Sequence, residues 1–308
     1  MSLRLSTAPH IRSPRSSTRL MINVLIALMP SAILGFIYYG LKAVMVVCVS
    51  MATAVVAEYL WQKLMHLPVR VNDCSALVTG MILGLTVTPE VEWWMIMIGS
   101  AFAIIIVKQL FGGIGDNFLN PALAARAMML ASWPATLTKH ISAIDGVTSA
   151  TPLAAGMTKA DFSYLELLIG RIPGVIGETC KLAVIIGLAY LLISRTVTWR
   201  IPFFTVLSAF IMAWLVGLDP LYTILSGGLI FCAAFMANDY TTSPMSSRAQ
   251  IVYACGIGVI TVIIRKWGAY PEGATYAVLF MNILTPLLDR YIPHKVYGHA
   301  KVKEDKAV

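Results

Sequence analysis

Long apolar stretches recur along the whole chain, and the short segments between them carry most of the charged residues. A helix needs about 20 mainly apolar residues to cross roughly 30 Å of hydrocarbon; some stretches reach that length and others are shorter or interrupted. The pattern predicts an all-α polytopic membrane protein with about ten transmembrane helices, some of them broken. The candidate spans are residues 20–39, 43–61, 75–88, 93–108, 117–133, 175–193, 201–217, 222–236, 249–264 and 273–288.

Composition agrees with this class. Of the 308 residues, 58% are hydrophobic and only 12% are charged, whereas a soluble domain has about 25% charged residues. An ordinary soluble enzyme is therefore excluded. The five cysteines show no C-x-x-C spacing and the five histidines show no i,i+4 pairing. Neither a disulfide framework nor a metal site is predicted.

The basic residues predict the orientation of the chain. A net charge of +8 would suit nucleic acid, but Lys and Arg lie in short segments between the apolar stretches, so no nucleic-acid binding is predicted. Threading the spans from a cytoplasmic N-terminus puts most of these residues inside, which predicts that both termini are cytoplasmic. The first apolar stretch lacks a small-residue cleavage site and is interpreted as a retained span. Residues 134–174 then form a loop on the outer face.

Two pairs of similar segments predict an internal repeat. Residues 76–89 and 230–244 each end an apolar stretch of small residues with a hydroxyl-rich turn and a proline, and residues 119–126 resemble residues 284–290. Because each half has five spans, an odd number, the halves are predicted to be inverted, with half-helix ends near the midplane where they can hold a polar guest. For any single break, close packing of small residues is the alternative. The parts of this single membrane domain are a cytoplasmic segment (1–19), a first repeat (20–133), the outer loop with a flavin site (134–174), a second repeat (175–290) and a cytoplasmic tail (291–308).

Ionisable residues inside the spans are candidates for function, because each costs roughly 2.5 kcal/mol or more at the bilayer centre unless it is paired or hydrated. Glu178 and Lys181 are three residues apart on one predicted helix and can neutralise each other. Asp239 follows Asn238 at the end of a broken helix and offers oxygens to a cation. We therefore expect Asp239 and Glu178 to be the ion-coupling candidates. The full set is Glu58, Asp73, Arg126, Glu178, Lys181 and Asp239.

A glycine-rich turn, residues 112–115, leads into the fifth span, with Asp116 or Asn117 as the predicted N-cap. Exposed N–H groups at such a turn can bind a phosphate or a carbonyl oxygen, which makes Gly113 and Asn120 candidate cofactor-binding residues. The turn does not follow a strand and lacks the G-x-G-x-x-G pattern. By itself it is more typical of a packing turn.

The segment from Asp145 to Leu153 in the outer loop reads Asp-Gly-Val-Thr-Ser-Ala-Thr-Pro-Leu. By propensity alone it is a solvated turn ended by Pro152. It nevertheless resembles the flavinylation sequence of the D subunit of the Rnf (Rsx) complex, a ferredoxin:NAD oxidoreductase. The related B subunit of the sodium-translocating NADH:quinone oxidoreductase carries a similar sequence. Residues 111–122, 173–179 and 236–244 also resemble Rnf D-subunit sequence, in the same order.

The resemblance implies a membrane electron-transfer subunit with covalent FMN. An FMN transferase would join the FMN phosphate to the hydroxyl of Thr151, with Asp145, Thr148 and Ser149 as neighbouring motif residues. Arg126 is a candidate flavin neighbour, because positive charge favours a negatively charged reduced flavin. The helix breaks also leave room for a second, noncovalent flavin such as riboflavin. No catalytic residue of its own is expected, since the flavin does the redox chemistry.

The resemblance also implies partners and a location. The partners are the other Rnf subunits, above all the outer-face flavoprotein subunit, together with the FMN transferase and membrane lipid. The location is the bacterial inner membrane, and electron flow between ferredoxin and NAD would be coupled to translocation of sodium ions or protons. The family fold is similar to that of urea transporters. A solute channel or permease without a redox cofactor is therefore the alternative, and a structural anchor for partner subunits is a third possibility.

Overall fold

In the computed structural model, residues 16–140, 152–153, 162–268 and 272–293 are described, and these residues form twelve helices and no β-strand. The predicted all-α class is confirmed for them. The helices are α1 (Ser17–Leu64), α2 (Ser75–Leu85), α3 (Trp93–Phe102), α4 (Pro121–Ser132), α5 (Pro134–Leu137), α6 (Tyr164–Ile169), α7 (Lys181–Ile193), α8 (Arg200–Leu215), α9 (Pro220–Leu225), α10 (Leu229–Phe231), α11 (Ser247–Trp267) and α12 (Ala274–Tyr291). Short π-helical segments continue α3 over Ala103–Gln109 and α10 over Cys232–Met236.

Helix α1 contains two of the predicted spans. Its 48 residues would extend about 72 Å at 1.5 Å per residue, more than twice the thickness of the hydrocarbon core. The helix bends at Gly40, where φ is 66° and ψ is −153°, a conformation that glycine adopts without steric cost. The boundary predicted between residues 39 and 43 therefore coincides with this bend.

The lengths of the helices separate complete candidate spans from partial ones. Among the described residues, only α1 and α11 are at least 18 residues long and apolar enough to cross a membrane by length and composition. Four shorter apolar helical stretches have 10–17 residues: Ser75–Leu85, Trp93–Gln109, Lys181–Ile193 and Arg200–Leu215. Large apolar side chains are exposed on the outside, for example Leu41 at 74% and Ile193 at 82%. Such a surface suits lipid.

The short helices meet in the centre of the bundle. Helix α2 packs against α1, α11 packs against α8, and α12 contacts both α4 and the π-helical segment after α10. Leu83, Leu85 and Phe231 are fully buried there. Between α9 and α10 the helix is interrupted at residues 226–228. Inside a membrane protein, non-helical backbone is tolerated only when protein groups or water satisfy its carbonyls.

Two predicted boundaries are wrong. The fifth span was expected from residue 117 with Asp116 or Asn117 as the N-cap, but α4 begins at Pro121 and its N-cap is Asn120. The Asn120 side chain accepts from the N–H groups of Ala122 and Leu123, at 3.1 and 3.3 Å. Asparagine followed by proline is a favourable start for a helix, because the asparagine oxygen caps free N–H groups and proline needs no N–H partner at the first position.

The span expected over residues 175–193 is helical only from Lys181. Residues 171–180 are irregular, so Glu178 lies outside the helix on which it was placed. The second pair of repeat segments also differs in structure. Pro121 starts α4, whereas Pro286 lies inside α12. The resemblance between residues 119–126 and 284–290 therefore does not mark equivalent helix positions.

Candidate functional site

A buried ion cluster joins segments that are distant in sequence. Arg126 on α4 donates from Nη1 to Glu178 Oε1 at 2.8 Å and from Nη2 to Glu272 Oε2. Arg126 and Glu178 are 4% and 3% exposed, so water screens this pair little. The expected neutralisation of Glu178 by Lys181 is wrong. Lys181 Nζ donates to the backbone oxygen of Glu178, while the carboxylate pairs with Arg126.

Two further cations satisfy the interrupted helix between α9 and α10. Lys181, which is 1% exposed, donates from Nζ to the Gly227 carbonyl at 2.6 Å. Arg265 on α11 donates from Nη1 to the Thr223 carbonyl at 2.5 Å and from Nη2 to the Ser226 carbonyl at 3.2 Å. These carbonyls have lost helical partners, and charged donors form the stronger class of hydrogen bond. Positively charged side chains therefore satisfy the backbone carbonyls at this break.

Gly228 leaves room for the Glu178 carboxylate at this break. A Cβ atom added to Gly228 would lie less than 3.0 Å from all three atoms of the carboxylate group. Such a contact is far inside van der Waals distance. The position directly before α10 therefore accepts only glycine while Glu178 keeps this conformation.

Pro152 and Leu153 bring the end of the outer-loop motif to this cluster. The Tyr222 hydroxyl donates to the Pro152 carbonyl at 3.0 Å, and Pro152 is buried. A Cβ atom added to Gly227 would lie 2.5 Å from Leu153 Cδ1 and 3.1 Å from Arg265 Nη2, so both side chains meet at Gly227. One cleft is lined by residues of both groups: Pro152, Leu153, Glu178, Lys181, Gly227 and Glu272. The predicted residues Asp145, Thr148, Ser149 and Thr151 lie outside the described residues.

In the described part of the chain, the cleft is lined by one cation, Lys181, and by the carboxylates of Glu178 and Glu272, which Arg126 pairs. Among the described residues, His140 Nδ1 and Arg265 Nε are buried without a hydrogen-bond partner. His140 lines the cleft, and burial holds its pKa below the usual value, with the nearby Arg126 acting in the same direction. A buried nitrogen atom without a partner is a place where a polar group of a ligand could form a hydrogen bond.

A second, larger cleft lies at the helix breaks in the centre of the bundle. Its cavity volume is about 80 Å³, and its polar lining includes Lys108, Asn117, Asn120, Asn238 and Asp239. Asn120 Nδ2 donates to the Met236 carbonyl at 3.3 Å, and Asn238 Nδ2 donates to the Ala233 carbonyl at 3.0 Å. These amides donate to backbone carbonyls of the π-helical segment. Asn120 therefore both caps α4 and links it to this segment in the second half of the chain.

The structure separates the predicted site residues into three places. Arg126 and Glu178 share the ion cluster. Asn120 and Asp239 line the central cleft, where the Asp239 carboxylate accepts from the hydroxyls of Thr241 and Thr242 at 3.2 and 3.4 Å. Gly113 lies apart from both, in a cleft beside Glu58. Gly113, Arg126 and Asp239 therefore do not form one site.

Sequence reasoning missed three features of these sites. Neither Arg265 nor Glu272 is among the candidate residues that the sequence indicated. Their positions could have indicated a role: Arg265 lies at the end of amphipathic helix α11, and Glu272 lies just before the half-buried helix α12. The third is a buried pair in which Lys108 Nζ donates to Glu58 Oε1 at 2.8 Å, with Gln109 Nε2 donating to the same oxygen at 2.6 Å.

Comparison with known proteins identifies the family. Residues 4–298 match the NQR2, RnfD, RnfE family. The chain is 46% identical to the D subunit of the Na⁺-translocating ferredoxin:NAD⁺ oxidoreductase complex of Acetobacterium woodii, over 99% of this chain and 98% of that protein. It is 35% identical to the D subunit of the proton-translocating ferredoxin:NAD⁺ oxidoreductase complex of Clostridium ljungdahlii, over 96% of each. It is 32% identical to the D subunit of the ion-translocating oxidoreductase complex of Shewanella amazonensis, over 97% of this chain and 99% of that protein. The chain thus belongs to the NQR2, RnfD, RnfE family, and these full-length relatives are D subunits.

Proposed function

We propose that this chain is the D subunit of an ion-translocating ferredoxin:NAD⁺ oxidoreductase complex and carries electrons through FMN bound covalently to Thr151. Full-length similarity to D subunits of sodium- and proton-translocating complexes supports membership of such a complex. The sequence Asp145 to Thr151 supports the covalent flavin, because a phosphoester needs a side-chain hydroxyl at the position that Thr151 occupies.

The observation that carries the flavin assignment is the anchoring of Pro152. Thr151 directly precedes Pro152, whose carbonyl accepts a hydrogen bond from the Tyr222 hydroxyl. The cleft at Pro152 is lined by Lys181 and His140, together with the carboxylates of Glu178 and Glu272, which Arg126 pairs. Cationic and donor groups are what a phosphate-linked flavin requires from its protein surroundings.

Residues that follow Thr151 in the sequence would hold the flavin in place. Tyr222 holds Pro152, and Leu153 packs at Gly227. Arg126 and Lys181 are buried cations, and charge in such a place would act on a nearby redox group with little screening. Bound FMN supplies electron transfer in one-electron or two-electron steps. Protein groups tune its potential by charge and hydrogen bonding.

The central cleft is proposed for a second, noncovalent flavin such as riboflavin. Polar side chains such as Asn117 and Asn238 and apolar side chains such as Val78 and Phe235 line it together, a combination typical of small-molecule sites. Addition of riboflavin to flavin-depleted protein would give saturable quenching of flavin fluorescence. Asn120→Leu should weaken riboflavin binding. Asn72→Leu, at an exposed position outside this cleft, should leave riboflavin binding unchanged.

Asp239 and Glu178 remain the proposed ion-coupling residues. Asp239 is the stronger of the two, because its carboxylate is held by the Thr241 and Thr242 hydroxyls and lines the central cleft, while Glu178 is already paired with Arg126. Asp239→Asn should preserve electron transfer in detergent and reduce ion uptake into vesicles. Equal loss of both activities would assign Asp239 a structural role instead.

The proposed topology follows the charge distribution of the sequence. Both termini face the cytoplasm of a bacterial inner membrane, and the loop 134–174 faces outward. There it meets the FMN transferase during maturation and the flavoprotein partner afterwards. Two inverted five-helix repeats would place the central cleft at their interface. Thr158→Cys tests this orientation. A membrane-impermeant maleimide added outside intact cells should label the new cysteine if the loop faces outward.

Covalent flavin is tested by denaturing gel electrophoresis of protein made together with the FMN transferase. The wild type and Thr151→Ser should fluoresce under ultraviolet light and Thr151→Ala should be dark, because alanine offers no oxygen for the phosphoester. Thr158→Ala, in the same loop, is the matched control and should stay fluorescent. A dark wild-type band would refute the electron-carrier proposal and favour the permease alternative, for which the central cleft would be the solute site.

A measurement of electron-transfer activity distinguishes the electron-carrier proposal from the alternative that this chain is a structural anchor. Under the electron-carrier proposal, the Thr151→Ala complex assembles but loses ferredoxin-driven NAD⁺ reduction. Full activity in that complex would make this chain a structural anchor. Two measurements on the wild-type complex distinguish sodium ions from protons. One is the dependence of the rate of NAD⁺ reduction on sodium ions, and the other is the effect of a proton-conducting uncoupler in sodium-free buffer.

A further inference from the structure

We infer that the apolar groove between α7 and α8 binds an anionic phospholipid, with one acyl chain in the groove and the phosphate beside Arg195 and Arg200. The groove has a cavity volume of about 530 Å³, and every residue that lines it is apolar. Its walls include Leu188 on α7 and Val206 on α8. The inference does not depend on a flavin, because the groove lies outside both clefts described above.

The length of the groove fits an acyl chain better than a helix of a partner subunit. On α8 the lining runs from Trp199 to Phe210, which is about 16 Å at 1.5 Å per residue. One leaflet of the hydrocarbon core is about 15 Å thick, half of roughly 30 Å, whereas a transmembrane helix needs the full thickness. The groove therefore has the length of one lipid tail.

One end of the groove, its mouth, lies at the connection between α7 and α8, residues 194–199. Leu192 and Trp199 stand on either side of this connection, and both line the groove. Trp199 packs edge-on against Phe203, with 5.8 Å between the ring centroids. Tryptophan is enriched at the level of the lipid headgroups. The mouth is therefore placed where a headgroup would lie.

The mouth also carries the charge that an anionic headgroup needs. Arg195 and Arg200 are the only charged residues between positions 182 and 218. Arg200 and the groove residue Phe203 are three positions apart on α8 and so share a face of the helix. Side chains in the first turn lean toward the N-terminus of their helix, which for Arg200 is the mouth. Arg200 forms no salt bridge within the part of the chain that the structure describes.

Other helices hold the backbone of the mouth in place. Asn23 Nδ2 on α1 donates to Thr196 Oγ1 at 3.0 Å, and the Tyr240 hydroxyl donates to the Thr196 carbonyl. A backbone that is already ordered lowers the entropy lost when a ligand binds. Basic pockets between transmembrane helices are known sites of anionic lipid headgroups. We therefore expect phosphatidylglycerol to bind in preference to phosphatidylcholine, whose headgroup has no net charge.

The test is photolabelling of the purified complex in phosphatidylcholine vesicles that contain a small fraction of a phospholipid with a diazirine on one acyl chain. The probe has either a phosphatidylglycerol or a phosphatidylcholine headgroup, and mass spectrometry identifies the labelled peptides. In the wild type, the phosphatidylglycerol probe should label the peptides of α7 and α8 more strongly. Arg195→Gln and Arg200→Gln should each lower this preference on the order of fivefold, the effect of one basic residue near an anionic lipid surface.

Two matched controls separate the headgroup from the tail. Arg290→Gln, at the end of α12 and outside the groove, should keep the preference of the wild type. Leu207→Trp enlarges a side chain that lines the groove and should reduce labelling by both probes. Leu215→Trp, on the same helix but outside the groove, should leave labelling unchanged.

Three results would overturn the inference. The first is equal labelling of α7 and α8 by the two probes, which would mean that the groove does not recognise headgroup charge. The second is a preference that persists when both arginines are replaced. The third is no labelling of these helices in the complex, which would assign the groove to a helix of a partner subunit. If the arginine variants do not assemble, the wild-type preference together with Leu207→Trp against Leu215→Trp decides.

Discussion

Removing the charge of Arg126 should destabilise the bundle strongly. Arg126 is 4% exposed and donates to Glu178 and Glu272. In Arg126→Met, Glu178 stays 3% exposed without its cation, and two carboxylates are left facing each other. Breaking a buried pair by removing one partner costs about 3–5 kcal/mol. We expect a loss of that size in the free energy of unfolding.

The double variant Arg126→Met/Glu178→Gln tests whether the cost comes from the stranded charge. In the double variant the buried carboxylate is neutral, and Glu272, whose side chain is 25% exposed, is the one carboxylate that loses its cation, so the expected loss falls to about 1–2 kcal/mol. Unfolding in mixed micelles with increasing dodecyl sulfate, followed by circular dichroism, measures each value. Lys42→Met is the control, because the Lys42–Glu90 pair at 2.7 Å is exposed and contributes less than about 1 kcal/mol. A double variant as unstable as Arg126→Met would refute the reasoning.

Three further outcomes are expected. Gly228→Ala should cost about 1–3 kcal/mol in the same unfolding assay, because its Cβ would meet the Glu178 carboxylate; unchanged stability would show that this contact is not present. Tyr222→Phe should lose about 0.5–1.5 kcal/mol locally and speed hydrogen exchange in the peptide containing Pro152, with protection elsewhere unaltered. Since burial holds the pKa of His140 below about 6.5, the unfolded chain takes up its proton at higher pH than the folded chain. Stability should therefore fall as pH drops below about 6.5, and His140→Gln should flatten this dependence.

Much of the fold was predictable because it depends on local pattern. Apolar stretches predicted the helices, the boundary between the first two predicted spans contains the bend at Gly40, and the Pro89 and Pro244 segments follow helix ends. The resemblance of the chain to Rnf D subunits is confirmed by the family match and by full-length relatives. The covalent flavin, the inverted repeat and the orientation in the membrane remain predictions.

The errors arose where helix geometry and charge pairing depend on distant segments. Glu178 and Lys181 looked like a helical pair, because residues three apart share a helix face. The chain is irregular up to residue 180, so the carboxylate meets Arg126, 52 positions away, instead. The N-cap of α4 was misplaced for a local reason: Asp116, Asn117 and Asn120 all favour that role, and propensity alone does not choose among them.

The sequence by itself determined that this chain is a helical membrane protein of a particular family, because hydrophobic periodicity and a specific hydroxyl motif depend only on neighbouring residues. Tertiary structure decided which buried charges meet. Arg126 reaches Glu272 across 146 positions, and Arg265 reaches back 39 positions to the Ser226 carbonyl. Each such group needs a partner in a low-dielectric interior, and only the packing of the helices determines which partner lies within reach.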